Sequence, residues 1–433
     1  MIDLNKYENI INHQLWTYTG EVTKVVGMGI ESLGPMANIG DICYISTRKG
    51  DREIKAEVIG FKDENLLLMP LGQLEGIGPG CKVKAYGDKL NVQVGENLLG
   101  QVVDWQAKPI DGSEVYCPDT VPIDNEAPNP LTRERIHEPI SLGIRAIDGM
   151  LTVGKGQRIG IFAGSGVGKS TLMGMIARNA LSDINIIALI GERGREVREF
   201  IEKDLKAEGL KRSIVVVATS DQPALMRLKA AMTATALAEY FRAQGKNVLL
   251  MMDSLTRFSM AQREIGLAVG EPPVSRGYTP SVFAALPKLL ERAGNSDKGS
   301  ITGMYTVLVD GDDFNEPITD TARGILDGHI VLSRKLANKG HYPAIDVLAS
   351  ISRVMSDIVT DEHKAFAREI KKQMAVYKES EDLINVGAYN RGSSQEIDEA
   401  IDKIGPINNF LQQPTHEKVS FETTYELMAQ ITK

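Results

Sequence analysis

The sequence is poor in cysteine, in long apolar runs and in excess positive charge, and each shortage excludes something. Only Cys43, Cys81 and Cys117 occur in 433 residues. An odd number without CxxC spacing argues against a disulfide framework and a zinc site, and fits the reduced thiols of a cytosolic chain. No window approaches the ~18 consecutive apolar residues of a membrane helix. The first residues, MIDLNKYENIINHQ, lack the basic region, apolar stretch and small-residue cleavage site of a signal peptide. The expectation is a soluble chain that reaches a membrane only through a partner. Lys+Arg number 49 against 57 Asp+Glu, a net charge of −8, so there is no global pull toward nucleic acid. There is no internal repeat and no low-complexity segment. What is present, 42% hydrophobic and 24% charged residues, is globular composition, and at ~150 residues per domain the length suggests about three domains.

The texture changes along the chain. Leu4, Tyr7, Ile11, Leu15 and Tyr18 recur at helical spacing behind Asp3, a candidate N-cap, and form a short amphipathic helix that either covers the next domain or docks a partner. From Glu21 to Asn91, short Val/Ile/Leu runs broken by glycine predict a small antiparallel barrel or sandwich. A proline-rich connector leads into RIGIFAG, NIIALIG, SIVVVAT and NVLLMMD, apolar runs alternating with helical patterns, which predict βαβ units around a buried parallel sheet. Beyond Ser356 the strands stop; Phe366, Ile370, Met374 and Tyr377, then Ile397, Ile401 and Ile404, line helical faces. The resulting division is 1–90, 91–356 and 357–433.

The strongest chemical signal is AGSGVGKST, Ala163 to Thr171, set between an apolar strand and a helix-forming segment. Gly164, Ser165, Gly166, Val167 and Gly168 form a loop whose backbone N–H groups, with the helix start at Ser170 and Thr171, face a phosphate chain. Lys169 serves the β- and γ-phosphates and the Ser170 hydroxyl a magnesium ion. Ala163 stands where the strict GxxxxGK pattern has glycine, so the match is to its relaxed form. Asp253 ends NVLLMMD and is either a second magnesium-directed carboxylate or a strand-end cap. Glu192 ends INIIALIGE. Ligands of open parallel sheets bind at the carboxyl ends of the strands, where Lys169, Glu192 and Asp253 all fall. A carboxylate there can polarise the attacking water; the alternative is that Glu192 joins Arg193, Arg195, Glu196, Arg198 and Glu199 in a solvated, ion-paired helix face.

Longer stretches carry a family resemblance. PAIDVLASIS, Pro343 to Ser352, resembles the signature of the α/β subunits of rotary ATPases, and GERGREV is similar to the catalytic-glutamate segment of their β subunits. IFAGSGVGKS, GEPPVSRGYTPSVFAALPKLLERAG and GDDFNEPITDTARGILDGHIVLSR are similar to the type III protein-export ATPases, most closely the flagellar ones. The resemblance covers nearly the whole chain. It implies an α/β fold with a RecA-like P-loop NTPase core, an N-terminal small β-barrel and a C-terminal α-helical domain. The implied activity is Mg-ATP hydrolysis energising flagellar export, with the virulence secretion system as the alternative.

By the same resemblance Arg353, in SISRVM, is an arginine finger entering a neighbour's site, and Tyr342, in HYPAID, packs on adenine. Tyr389, in VGAYNRGS, is a second adenine contact, and Arg193 lies near the γ-phosphate. The plain alternatives are a solvated arginine for Arg353, a core aromatic for Tyr342 and a surface ion-pair partner for Arg193. One chain carrying both Glu192 and Arg353 can build every site of a closed ring, which implies a homohexamer. The implied partners are a FliH-like regulator at the N-terminal helix, a stalk-like protein, export-gate membrane proteins and chaperone–substrate complexes, with the chain in the cytoplasm at the inner face of the membrane. Three other classes are a rotary ATP synthase subunit, a Rho-type RNA translocase and a non-catalytic nucleotide-binding subunit. The last carries Gln where this chain has Glu192, and the second requires a basic, aromatic-rich barrel surface.

Overall fold

The computed structural model describes residues 18–309 and 313–433. The helix expected on Leu4, Tyr7, Ile11 and Leu15 lies outside the described residues, and Tyr18, its expected last member, opens a strand instead. Six strands, β1 (Tyr18–Val26), β2 (Gly29–Leu33), β3 (Ile42–Ser46), β4 (Glu53–Lys62), β5 (Asn65–Pro70) and β6 (Lys82–Ala85), close into an antiparallel barrel in the order β1-β2-β5-β4-β3-β6. Closure leaves no free edge. Its interior is filled by Val22, Ile30, Ile45, Val58, Leu68 and Val83, all buried, with their strand neighbours turned outward.

The central sheet is built from β7 (Val102–Val103), β8 (Arg158–Ala163), β9 (Ile184–Glu192), β10 (Ser213–Thr219), β11 (Asn247–Asp253), β12 (Ser300–Leu308), β13 (Gly328–Leu332) and β14 (Ile351–Ser352). Their order is β14-β13-β8-β12-β11-β9-β10-β7, with the short strand Gly294–Asn295 added antiparallel to β12. From β13 to β7 every pairing is parallel, and β14 runs antiparallel on the outer edge of β13. Eight of the nine residues of β9 are buried, as a strand covered on both faces requires. The covering helices are α1 (Lys169–Asn179), α2 (Ala224–Ala243), α3 (Leu255–Ala268), α4 (Pro280–Leu290) and α5 (Pro317–Ile325).

The barrel is fixed to this unit by an ion pair with little solvent access. Lys229 of α2 meets Glu57 of β4 at 2.6 Å, their side chains 9% and 11% exposed. Removing one partner of such a pair leaves a buried charge and costs about 3–5 kcal/mol. Three helices, α6 (Asp361–Asn385), α7 (Gln395–Leu411) and α8 (Phe421–Thr432), form the C-terminal unit. It is tied to the sheet through polar contacts to the 143–149 segment: His363 Nε2 with the Gly149 carbonyl at 2.7 Å, and Gln413 Nε2 with the Gly143 carbonyl at 2.9 Å.

Candidate active site

The carboxyl ends of three adjacent parallel strands and the loop after a fourth converge. Ala163 at the end of β8 pairs with Leu308 of β12 and Leu332 of β13, while Leu189 of β9 pairs with Asp253 at the end of β11. The chain leaving β8 turns through Gly166 (φ 77°) and Gly168 (φ 90°), left-handed positions that glycine adopts without strain. Helix α1 then starts directly at Lys169, with Gly168 as its N-cap. Ser165, Gly166 and Ser170 are exposed while Gly164 and Val167 are buried, so the loop presents one face outward and anchors the other. The four unpaired N–H groups of a helix start and its dipole suit an anion there.

Lys169 stands between two carboxylates. Its Nζ is 2.5 Å from Asp253 Oδ1 and 4.0 Å from Glu192 Oε1, and the three side chains are only 13%, 6% and 14% exposed. Asp253 Oδ1 also accepts from the Thr306 hydroxyl at 2.7 Å, which fixes the carboxylate against β12. Glu192 has the Glu196 side chain as a hydrogen-bond partner. Burial, and next the negative charge of Asp253, push its carboxyl up to about 7, against the opposing pull of Lys169. The site thus holds one carboxylate clamped to the lysine at 2.5 Å and a second that titrates near neutrality, the range that suits a base working at physiological pH. Sequence spacing alone left Glu192 divided between this site and a solvated helix face; it lies in the site. Its neighbours take the other role. Arg193 is 79% exposed and pairs with Glu196 at 3.4 Å, and Arg198 is 80% exposed and pairs with Glu202 at 2.7 Å.

Tyr342 is at the phosphate loop. A Cβ placed on Gly168 would lie 3.4 Å from the Tyr342 ring, an ordinary contact distance, so the ring lies beside the loop. Its ring remains 45% exposed, which is not a core position. Its carbonyl accepts from the Gln413 N–H at 2.9 Å, so the C-terminal unit holds the backbone that carries the ring. Tyr389 is not brought to the loop by any of its contacts. Its hydroxyl donates to Asp398 Oδ1 at 2.9 Å and lies 3.0 Å from the Ser394 carbonyl, closing the turn that precedes α7. Thr171 spends its hydroxyl on Asp204, bracing the start of α1.

Arg353 is not in this cleft. It follows β14, whose Ser352 pairs with Gly328 at the beginning of β13. Gly160 pairs with His329, which puts Gly328 level with Ile159 near the amino end of β8. At ~3.3 Å per residue the length of β8 separates Arg353 from the phosphate loop of its own chain by roughly 20 Å. Its side chain is exposed, and its guanidinium donates to the Arg323 carbonyl at 3.1 Å.

Two further side chains join the site without a sequence signal strong enough to select them. Thr306 is an ordinary residue of a buried strand until its bond to Asp253 is seen. Arg257, in the first turn of α3, lays its stem against Gly191, where a Cβ would come within 2.9 Å of Arg257 Cβ, and its Nε is buried without a hydrogen-bond partner. The spacing DSLTR, an arginine four residues after the strand-end acid, is the only hint of it in the sequence.

An oxygen donor set suits magnesium, which is held through one or two protein oxygens together with substrate phosphates. The exposed Ser170 hydroxyl at the helix start and the ordered Asp253 carboxylate fit that requirement.

The comparisons with known proteins agree along the whole chain. Residues 22–87 match the ATP synthase alpha/beta family beta-barrel domain, 143–352 its nucleotide-binding domain and 359–430 the T3SS EscN ATPase C-terminal domain. The chain is 60% identical over 416 residues to the flagellum-specific ATP synthase of Bacillus subtilis, with 95% of each chain covered. It is 53% identical over 414 residues to the type 3 secretion system ATPase of Xanthomonas euvesicatoria, covering 95% of this chain and 94% of the relative. Among solved structures, the assembled ATPase EscN of the enteropathogenic E. coli type III secretion system superposes with a TM-score of 0.89 at 48% identity, covering 96% of this chain and 100% of EscN. EscN in complex with its central stalk EscO superposes with a TM-score of 0.88 at 49% identity over the same shares.

Proposed function

The chain belongs to the flagellum-specific and type III secretion ATPases of the ATP synthase alpha/beta family, and we propose that it hydrolyses Mg-ATP at sites shared between neighbouring subunits of a homohexameric ring. It is an ATPase of protein export. Identity of 60% to a flagellar relative against 53% to a secretion-system one favours the flagellar setting. The observation that carries the shared site is positional. Lys169, Glu192 and Asp253 gather at one end of the sheet, whereas Arg353 is exposed at the other, so the arginine is free to serve only another chain's loop.

In this reading the loop amides and Lys169 hold the β- and γ-phosphates, and Lys169 exchanges Asp253 for them as nucleotide enters. Ser170 and Asp253 hold the magnesium ion, which neutralises charge on the phosphate oxygens when bound. Glu192 orients a water and takes its proton as the water oxygen bonds to the γ-phosphorus and the bond to the β,γ-bridging oxygen breaks. Arg353 of the neighbouring subunit meets the charge that develops on the phosphoryl oxygens. Tyr342 stacks on the base, with Tyr389 and Arg193 as outer contacts that close only in the assembled, nucleotide-bound site.

EscN forms an assembly and binds a central stalk, and at this similarity we extend both to this chain. A FliH-like regulator at the N-terminal segment, export-gate proteins and chaperone–substrate complexes complete the partner set. Among the described residues no helix is long and apolar enough to cross a membrane, and we place the chain in the cytoplasm, held to the membrane through those partners. If sites are shared, specific ATPase activity rises with protein concentration in step with oligomer formation followed by light scattering. Activity that is independent of concentration through that range would remove the shared site.

A further inference from the structure

An arginine offered across a subunit boundary is useful only if it is held in place before the partner arrives, since a group that must be ordered during the reaction returns little stabilisation. Arg353 stands just beyond a strand of two residues on the edge of the sheet. Two carbonyls hold it. Its backbone N–H donates to the Asp327 carbonyl at 3.0 Å and its guanidinium to the Arg323 carbonyl at 3.1 Å. Both carbonyls belong to the segment running from α5 into β13. Gly328 lets the edge strand lie on this turn, because a Cβ there would be 2.5 Å from the Ile351 carbonyl oxygen.

The turn is itself clamped to the strand that leads into the phosphate loop. The Asp327 carboxylate accepts from the Arg158 backbone N–H at 3.0 Å, from Nε at 3.1 Å and from Nη2 at 3.1 Å, and the Asp327 N–H donates back to the Arg158 carbonyl at 2.8 Å. Arg158 is braced on its far side by Glu291 at 2.5 Å. Gln157, fully buried, adds a second strut: its Nε2 donates to the Asp327 carbonyl at 3.0 Å and to the Ser352 hydroxyl at 3.1 Å, and that hydroxyl donates to the Thr152 carbonyl at 2.8 Å. Asp327 therefore touches the arginine segment through its carbonyl and the root of β8 through its carboxylate.

We propose that Asp327 is the positioning residue of Arg353, fixing it for use in the neighbouring subunit's site. The proposal rests on the shared-site reading. A purely structural Asp327 would stabilise the sheet and affect whichever site is measured; a positioning Asp327 affects only the site to which its own subunit lends the arginine. Mixed rings separate the two. A Lys169→Ala subunit has no working loop but an intact Arg353, and an Arg353→Ala subunit has the reverse.

Asp327→Asn keeps the size of the side chain and removes the charge that orders the three Arg158 contacts. We expect thermal unfolding near that of the parent, KM for ATP within about twofold and kcat lowered about 10- to 100-fold, as a displacement of about 1 Å brings. Mixing with Lys169→Ala restores turnover, because the partner lends an intact arginine to the unharmed loop. Mixing with Arg353→Ala does not. Should Asp327→Asn fail to fold, Ser352→Ala, which cuts the second strut, is carried through the same mixtures with the same expected pattern. Near-parental kcat in the Asp327→Asn protein, or rescue by Arg353→Ala in place of Lys169→Ala, would overturn the assignment while leaving the shared site intact. Silence of the control mixture of Lys169→Ala with Arg353→Ala would overturn the shared-site reading and the assignment with it.

Discussion

Arg353→Ala should lower kcat by about 10³–10⁵-fold, the usual contribution of an arginine supplied in trans to phosphoryl transfer, while leaving nucleotide binding and thermal stability close to those of the parent. The split follows from placement. Arg353 is exposed, its guanidinium donates to the Arg323 backbone carbonyl, and it lies at the far end of the sheet from its own phosphate loop. Truncating such a residue changes folding stability by no more than about 0.5 kcal/mol. Its loss is felt only when charge builds on the transferring phosphoryl group of another subunit, so kcat carries the effect and KM does not. Arg353→Lys should recover little, because a point charge does not reproduce the planar fork of the guanidinium. Turnover of the alanine variant within tenfold of the parent, measured at concentrations where the ring forms, would contradict the role.

Glu192→Gln is expected to bind Mg-ATP as the parent does and to lose about 10²–10⁴ in kcat, the typical contribution of a positioned general base. The carboxamide matches the carboxylate in shape, so the strand end and the Lys169–Asp253 pair remain. The sign of the stability effect also follows. Burial and the charge of Asp253 raise the Glu192 carboxyl to about 7, so the folded protein holds its ionised form at a cost above that pH. A neutral glutamine removes this cost, and the variant should be as stable as the parent or slightly more so at pH 8. A fully active Glu192→Gln protein would assign water activation to another group.

The two variants rest on residues of unequal legibility. Glu192, Lys169 and Asp253 could be placed from the sequence because strand ends are local: a run of apolar residues stops at a carboxylate, and parallel strands share one carboxyl edge. The left-handed glycines of the loop are visible for the same reason. The opposite placement of Arg353 is not local. It depends on β14 running antiparallel on the edge of β13, a pairing of two residues that periodicity does not reveal. The Arg158–Asp327 clamp joins residues 169 positions apart, and Thr306 gains its meaning only from β11 lying beside β12. Arg198 could be read as a surface ion-pair residue from its i,i+4 spacing to Glu202, and its exposure agrees. Tyr342 and Tyr389, both adenine contacts by the resemblance, differ in three dimensions: the first lies beside Gly168 with its backbone held by Gln413, while the hydroxyl of the second bonds within the turn before α7.

The shared site is tested most directly by mixing two silent proteins. Lys169→Ala and Arg353→Ala subunits are each expected to be inactive alone. Random assembly of equal amounts pairs an intact loop with an intact neighbouring arginine at about one site in four, so the mixture should recover hydrolysis toward that fraction of the parental rate. A mixture that assembles yet stays as silent as its components at every ratio would contradict the account.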